Sequence, residues 1–271
     1  MRQSPAHECH LEARANGVRL TRVYVDGALT PGSTVDLGQG AGAHLAKVLR
    51  ARNGDELVLF NGDGREFSGA VERVMGSRVS ASVGAARSID RESPLRLTLM
   101  QCVPRGDRMD FIVQKATELG VVRVVPLLSE RSVVRLDENQ AASKQAHWRA
   151  VAVSACEQCG RNRVPGIEAP QLLLNYLGAL APTGLAEALR LVLEPERAHP
   201  AGEATPIDWT TGVSIASADI AIGPEGGFTA GELEAFQLCG FSRIGLGPRV
   251  LRTETAAIAA IAMLQARYGD L

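Results

Sequence analysis

The chain has almost no net charge: 29 Lys and Arg stand against 30 Asp and Glu, a formal −1 over 271 residues. A balance this even excludes the uniformly basic object expected of a nonspecific nucleic-acid binder. No uninterrupted apolar run reaches about 18 residues, so no transmembrane helix is expected and a membrane is not among the partners. The five cysteines are an odd number spread through a long chain. They form no disulfide framework and fit a reducing cytoplasm. The first residues, MRQSPAHECHLEARANG, lack the apolar core of a secretory signal, and residues 1–19 read as a flexible tail. The composition, 45% hydrophobic and 22% charged, is that of an ordinary soluble globular protein with room for one large or two modest domains.

Nucleotide-phosphate motifs are missing too. There is no G-x-x-x-x-G-K-[ST], and the glycine pattern GPEGG is not the G-x-G-x-x-G of dinucleotide folds, which leaves a nucleotide-binding dehydrogenase a weak reading. What the chain has instead is a pair of glycine-marked segments in its last fifty residues, IGPEGGFTAGELEAF from Ile222 and LGPRVLRTETAAIAAIA from Leu246. Each reads as strand, loop, helix. In the first, Ala218 to Ile222 suits a buried strand, and Gly223, Pro224, Gly226 and Gly227 then leave a loop of bare backbone that a ligand can approach. Thr229 with Glu232 forms a capping box, so a helix is predicted from about Thr229 towards Cys239. Glu225 would repel a phosphate and suits a ligand of cationic character. In the second, Ser242 to Leu246 is a strand candidate broken by Gly247-Pro248, and Thr253 or Glu254 opens a helix running to about Tyr268. That helix is apolar almost all round and must be buried, within the chain or against a second copy. Arg249, Arg252 and Glu254 fall at its start. Ligands bind at such strand ends in open α/β sheets.

The rest of the chain divides near Ser88 to Pro94. Before that point, LTRVYV, ELVLF, EFSGAVERV and RVSASV are short strands separated by Asn53-Gly54-Asp55 and Asn61-Gly62-Asp63-Gly64 turns, a compact β-barrel or rolled sheet spanning residues 20–90. One helix interrupts it, with His44, Leu45, Val48 and Leu49 on a common face and Lys47, Arg50 and Arg52 projecting elsewhere. From residue 94 to 271 strands alternate with helices: LRLTLMQCV, a helix from Asp107 to Leu119, VVRVVPLL, a helix from Asn139 to Cys159, and LRLVLEP. Such alternation predicts an α/β unit with a mainly parallel, helix-covered sheet. Residues 195–217 read as a surface excursion.

Taken together, IGPEGGF, LGPRVLRTETAA, KATELGV, SERSV and EQCGR resemble the motifs of the RsmE-type ribosomal-RNA uridine-N3 methyltransferases, a SPOUT-class family. The resemblance runs from about Leu20 to the C-terminus. It implies an N-terminal PUA-like RNA-binding β-barrel domain and a SPOUT domain whose chain forms a deep C-terminal trefoil knot, an exception to the usual rule of unknotted chains. It further implies S-adenosylmethionine as cofactor, held by Leu193, Ile222, Gly223, Pro224, Glu225, Gly226, Gly227, Leu246, Gly247, Pro248, Val250, Leu251, Arg252, Thr255 and Ala256. The partner it implies is small-subunit ribosomal RNA, with a single uridine near the decoding centre as acceptor and the assembled small ribosomal subunit preferred. Helices related to the last one pack across a two-fold axis in SPOUT proteins, so a homodimer is expected.

Chemistry narrows the roles. A sulfonium methyl group is already activated, and the harder task is removing the proton of uracil N3, which a base or a cation facing the forming anion assists. Arg252 is the candidate for the cation, and Glu254 or Glu225 for the proton acceptor; Glu225 could instead face the cofactor, and Arg252 could simply pair with Glu254. Cationic residues are concentrated in the middle of the chain: Arg105 to Arg163 holds ten Lys or Arg against seven Asp or Glu, and Val164 to Leu271 six against twelve. Lys47, Arg50, Arg52, Arg105, Arg108, Arg131, Arg161 and Arg163 are the RNA-contact candidates. Cys156-x-x-Cys159 has no second pair and sits in a helical pattern, so it reads as structural and no metal is implied. Two other functions compete: a SPOUT ribose 2′-O methyltransferase, and a noncatalytic RNA-binding ribosome-assembly factor.

Overall fold

A computed structural model describes residues 14–15, 18–180, 188–195 and 215–271. Most of the predicted N-terminal tail and of the 195–217 excursion lies outside these residues. The chain forms two compact units: the first holds residues up to Arg91 with Glu157–Arg163, the second Glu92–Cys156 with Val164–Leu271.

In the first unit, β1 (Arg14–Ala15) and β2 (Val18–Arg19) pair as a minimal antiparallel ladder, so the end of the expected tail has structure. Then come β3 (Thr21–Tyr24), β4 (Thr34–Asp36), α1 (Gly38–Ala43), β5 (Glu56–Phe60), β6 (Arg65–Met75) and β7 (Arg78–Ser88). The five longer strands form one sheet in the order β3-β5-β6-β7-β4. Register shifts between Phe67 and Gly69 and between Val71 and Arg73 interrupt the β6–β7 ladder, and such bulges bend and twist a sheet around its core. Leu59, Phe67, Val79 and Ala81 fill that core.

The helix in this unit departs from the expected apolar face. α1 passes directly into a π-helical turn, His44–Val48, closed by Leu49 N–H donating to the His44 carbonyl at 3.1 Å. The wider turn changes the angular phase of the residues after it. Leu45 is buried, whereas Val48 and Leu49 are 65% and 47% exposed, so the four residues do not share one buried face.

The second unit contains β8 (Arg96–Cys102), α2 (Arg108–Glu118), β9 (Arg123–Leu128), α3 (Glu138–Cys159), β10 (Gly166–Ile167), β11 (Gln171–Leu172), α4 (Leu173–Ala179), β12 (Leu189–Leu193), β13 (Ser217–Ile222), α5 (Ala230–Leu238), β14 (Ser242–Ile244) and α6 (Thr253–Tyr268). The sheet order is β10-β9-β8-β13-β12-β14, with β11 also on β9, and every ladder is parallel. Buried on both sides, the strands carry apolar residues in both directions. Leu97, Leu99, Ile220, Ile222 and Leu191 meet α2, α3 and α6 on one face. Met100, Cys102, Ala221 and Val192 meet α4 and α5 on the other.

α6 is not buried all round. Ala256, Ala257, Ala260, Ile261 and Leu264 enter the core, while Thr255 and Met263 are exposed, Met263 at 39%. One face of the helix is therefore uncovered within the chain.

Candidate active site

Because the sheet is parallel, the loops leaving β13 and β14 emerge at the same edge, on either side of the end of β12. The first loop is rigid for identifiable reasons. Gly227, at φ +67°, closes a turn by donating its N–H to the Pro224 carbonyl at 2.9 Å, a backbone conformation that favours glycine. A Cβ on Gly223 would stand 3.2 Å from the Phe228 ring. Arg131 Nη1 donates to the carbonyls of Gly226 (3.0 Å) and Phe228 (3.2 Å). The loop ends in the predicted capping box: the Glu232 N–H donates to Thr229 Oγ1, and the Thr229 N–H donates to Glu232 Oε2 at 2.8 Å.

The second loop is tied to the first by a buried relay. Thr253, the first residue of α6, donates from Oγ1 to the Gly223 carbonyl at 2.9 Å and accepts from Gln101 Nε2 at 2.9 Å. Gln101 is fully buried at the end of β8 and also donates to the Cys102 carbonyl. Sequence spacing gives no sign of this link, since Gln101 and Thr253 lie 152 residues apart.

Between the loops is a cavity of about 440 Å³, within the range of small-ligand sites. Leu193, Ile222, Leu246, Val250, Leu251 and Ala256 supply apolar wall; Arg108, Glu194, Glu225, Arg249 and Arg252 supply charge. Of the predicted cofactor residues, Gly223, Pro224, Gly227 and Gly247 also line it, whereas Gly226, Pro248 and Thr255 do not. Gly226 instead offers its carbonyl to Arg131, and Thr255 is exposed.

The three catalytic candidates are differently placed. Arg252 is exposed, in extended conformation (φ −65°, ψ 151°) at the N-cap of α6. Glu254 is largely buried, with Oε2 buried and lacking a hydrogen-bond partner; its Oε1 is 3.9 Å from Arg108 Nε. Glu225 Oε1 accepts from Arg108 Nη1 at 2.7 Å and from the Arg105 N–H at 3.3 Å. The ion partner of both carboxylates is thus Arg108, not Arg252.

The remaining RNA candidates scatter. Lys47, Arg50, Arg52, Arg105 and Arg163 are exposed, with Arg50 in the left-handed region at φ +52°. Arg161 is only 4% exposed and its carbonyl accepts from Arg22 Nη2, so its assignment to a contact surface is corrected. Arg131 braces the glycine loop. Cys156 is buried, and no cluster able to hold a metal is found among the described residues.

Comparison with known proteins agrees with this architecture. Residues 38–83 match the RNA methyltransferase PUA domain and residues 91–265 the RNA methyltransferase domain. A ribosomal RNA small subunit methyltransferase E from Buchnera aphidicola subsp. Schizaphis graminum is 32% identical over 93% of this chain and 98% of its own. Another from Bacillus subtilis is 31% identical over 82% and 85%. Among solved structures, a Legionella pneumophila protein with the bound cofactor SAM superposes with a TM-score of 0.82 at 39% identity, over 94% of this chain and all of that one. The ribosomal RNA small subunit methyltransferase E of Neisseria gonorrhoeae, bound to S-adenosyl methionine, gives 0.78 at 37%, over 93% and 99%. With its second unit matched over residues 91–265, more than half of its length, and its relatives matched nearly end to end, the chain belongs to the RNA methyltransferase family that includes the ribosomal RNA small subunit methyltransferases E.

Proposed function

We propose that this protein transfers a methyl group from S-adenosylmethionine to N3 of a uridine in small-subunit ribosomal RNA, acting on the assembled subunit in the cytoplasm. The observation that carries the reading is the cavity shared by the two glycine loops. Its apolar walls suit a nucleoside, and the Glu194 and Glu225 carboxylates suit a cation. The residues present therefore fit the cofactor. When bound, S-adenosylmethionine supplies a methyl group already activated on a sulfonium.

The protein's own contribution is to hold the acceptor and manage one proton. Glu254 does not itself line the cavity, and its Oε2 is buried without a hydrogen-bond partner; it is the assigned acceptor of the uracil N3 proton, directly or through water. Such an oxygen gains a hydrogen bond when an N–H is brought to it. Arg252, exposed at the cavity wall, faces the negative charge that spreads onto the uracil carbonyls. Glu225 is the weaker candidate for the base, because Arg108 and the Arg105 N–H already occupy its Oε1. Exposed Lys47, Arg50, Arg52, Arg105 and Arg163 contact RNA phosphates.

The SPOUT reading adds a trefoil knot through the two glycine loops and a homodimer across the uncovered face of α6, where Thr255 and Met263 are exposed. Ala259 and Ala262, half-buried along the same helix, permit close helix approach there.

The test is transfer from labelled S-adenosylmethionine to small subunits lacking the modification, with the product nucleoside identified by mass spectrometry. N3-methyluridine is expected. A 2′-O-methylated product would refute the acceptor atom, and absence of both transfer and cofactor binding would refute the enzyme.

A further inference from the structure

A guanidinium on the wall of a cavity meant for a sulfonium needs an explanation. Arg108 stands there as the first residue of α2, where the helix dipole disfavours a cation. The core does not require it there: its side chain is 39% exposed. It holds Glu225 at 2.7 Å, and Glu225 is 37% exposed on the same wall. These two groups are an open, oppositely charged pair, not a buried structural one.

We propose that the Arg108–Glu225 pair is the receptor for the amino-acid end of the cofactor, a conclusion that rests on S-adenosylmethionine being the ligand. That end is a zwitterion. Its α-carboxylate is the one anionic group of the cofactor, and a guanidinium matches a carboxylate with paired N–H donors. Its α-ammonium matches the Glu225 carboxylate. On binding, one protein ion pair is exchanged for two protein–ligand pairs, so neither group is left uncompensated. The adenosine end then occupies the apolar wall of Leu193, Ile222 and Leu246. The exchange also separates the two carboxylates near Arg108 by duty: Glu225 serves the cofactor, and Glu254 is left for the acceptor.

S-adenosylhomocysteine and 5′-methylthioadenosine distinguish the roles by calorimetry, because both lack the sulfonium and only the first carries the amino-acid end. Full-length protein should prefer S-adenosylhomocysteine, and Arg108→Gln should weaken that ligand by about ten- to a hundredfold, the span of a lost charged hydrogen bond. Binding of 5′-methylthioadenosine should change by less than about threefold. Glu225→Gln should act in the same selective manner, and Arg108→Lys, which keeps the charge without the fork, should restore part of the loss. Equal weakening of both ligands would overturn the proposal in favour of a general effect on cavity shape. Unchanged binding of both with reduced methyl transfer would overturn it in favour of Arg108 facing the RNA. Wild-type protein that binds neither nucleoside would refute the methyltransferase reading itself, an outcome distinct from the other two.

Discussion

Thr253→Val tests whether one hydroxyl couples the two loops. Valine keeps the shape of threonine and removes only the hydrogen-bonding group. The site is 6% exposed, so water does not readily replace what is lost. Two bonds disappear, the donation to the Gly223 carbonyl at 2.9 Å and the acceptance from Gln101 Nε2 at 2.9 Å. Gln101 Nε2 retains the Cys102 carbonyl, but its Oε1 is already buried without a partner, so no rearrangement of the amide repairs the network. At about 1 kcal/mol per bond plus a penalty for buried groups left unpaired, the loss is about 2–3 kcal/mol. For a unit of this size that corresponds to a fall in melting temperature of roughly 5–10 °C. Thermal unfolding followed by circular dichroism measures it, with Thr253→Ser as the control that keeps the hydroxyl and most of the stability. Gln101→Leu combined with Thr253→Val should cost at least about 1 kcal/mol less than the two singles added, since an apolar pair leaves no orphan facing the other. A melting temperature within one degree of wild type, or strict additivity in the double variant, would refute the relay.

Three other outcomes are expected. Glu66 is buried between Arg22 (2.8 Å) and Arg91 (3.2 Å); burial pushes its carboxyl up, but the hydrogen bonds and charges of the two guanidiniums outweigh this and hold it below the ordinary range. A lowered folded-state value gives stability that is present above the ordinary glutamate pKa and lost as pH falls through the lowered one, so acid titration of unfolding should show this loss in wild type and less of it in Glu66→Gln. Gly64→Ala should destabilise the first unit by more than about 1 kcal/mol, because Gly64 has φ +95°, a backbone conformation that L side chains rarely adopt; denaturant midpoints check it, and an unchanged midpoint would count against the geometry. Met263→Glu should convert the proposed dimer to monomer in light scattering and lower the melting temperature while removing its dependence on protein concentration; a dimer that persists would move the interface elsewhere.

The parts of the fold readable from sequence were those whose signals are local. Thr229 and Glu232 announce their helix within four residues, and the capping box forms as expected. The alternation after Pro94 points to the parallel sheet, because strands buried on both faces need apolar residues in both directions. The features that failed to show were long-range. Arg108 reads as a surface cation until Glu225, 117 residues away, is placed beside it. Gln101 lies within an apolar strand and gains a role only when α6 brings Thr253 to it. Arg161 misled for the converse reason, since a charged residue in a polar loop gave no sign of its burial. Val48 and Leu49 fit a helical period that a single π-helical turn breaks.

The cavity walls come from Arg108 and from most residues of the segments 193–195, 222–227 and 246–256, spread over more than half the chain. No hairpin or isolated helix pair can assemble them, and contacts of such sequence separation form slowly because loop closure precedes any gain. The cavity therefore exists only once β8, β13, β12 and β14 are all in register. In a refolding experiment, helical signal should return well before affinity for S-adenosylhomocysteine does, making ligand capture a clock for the final ordering of the chain.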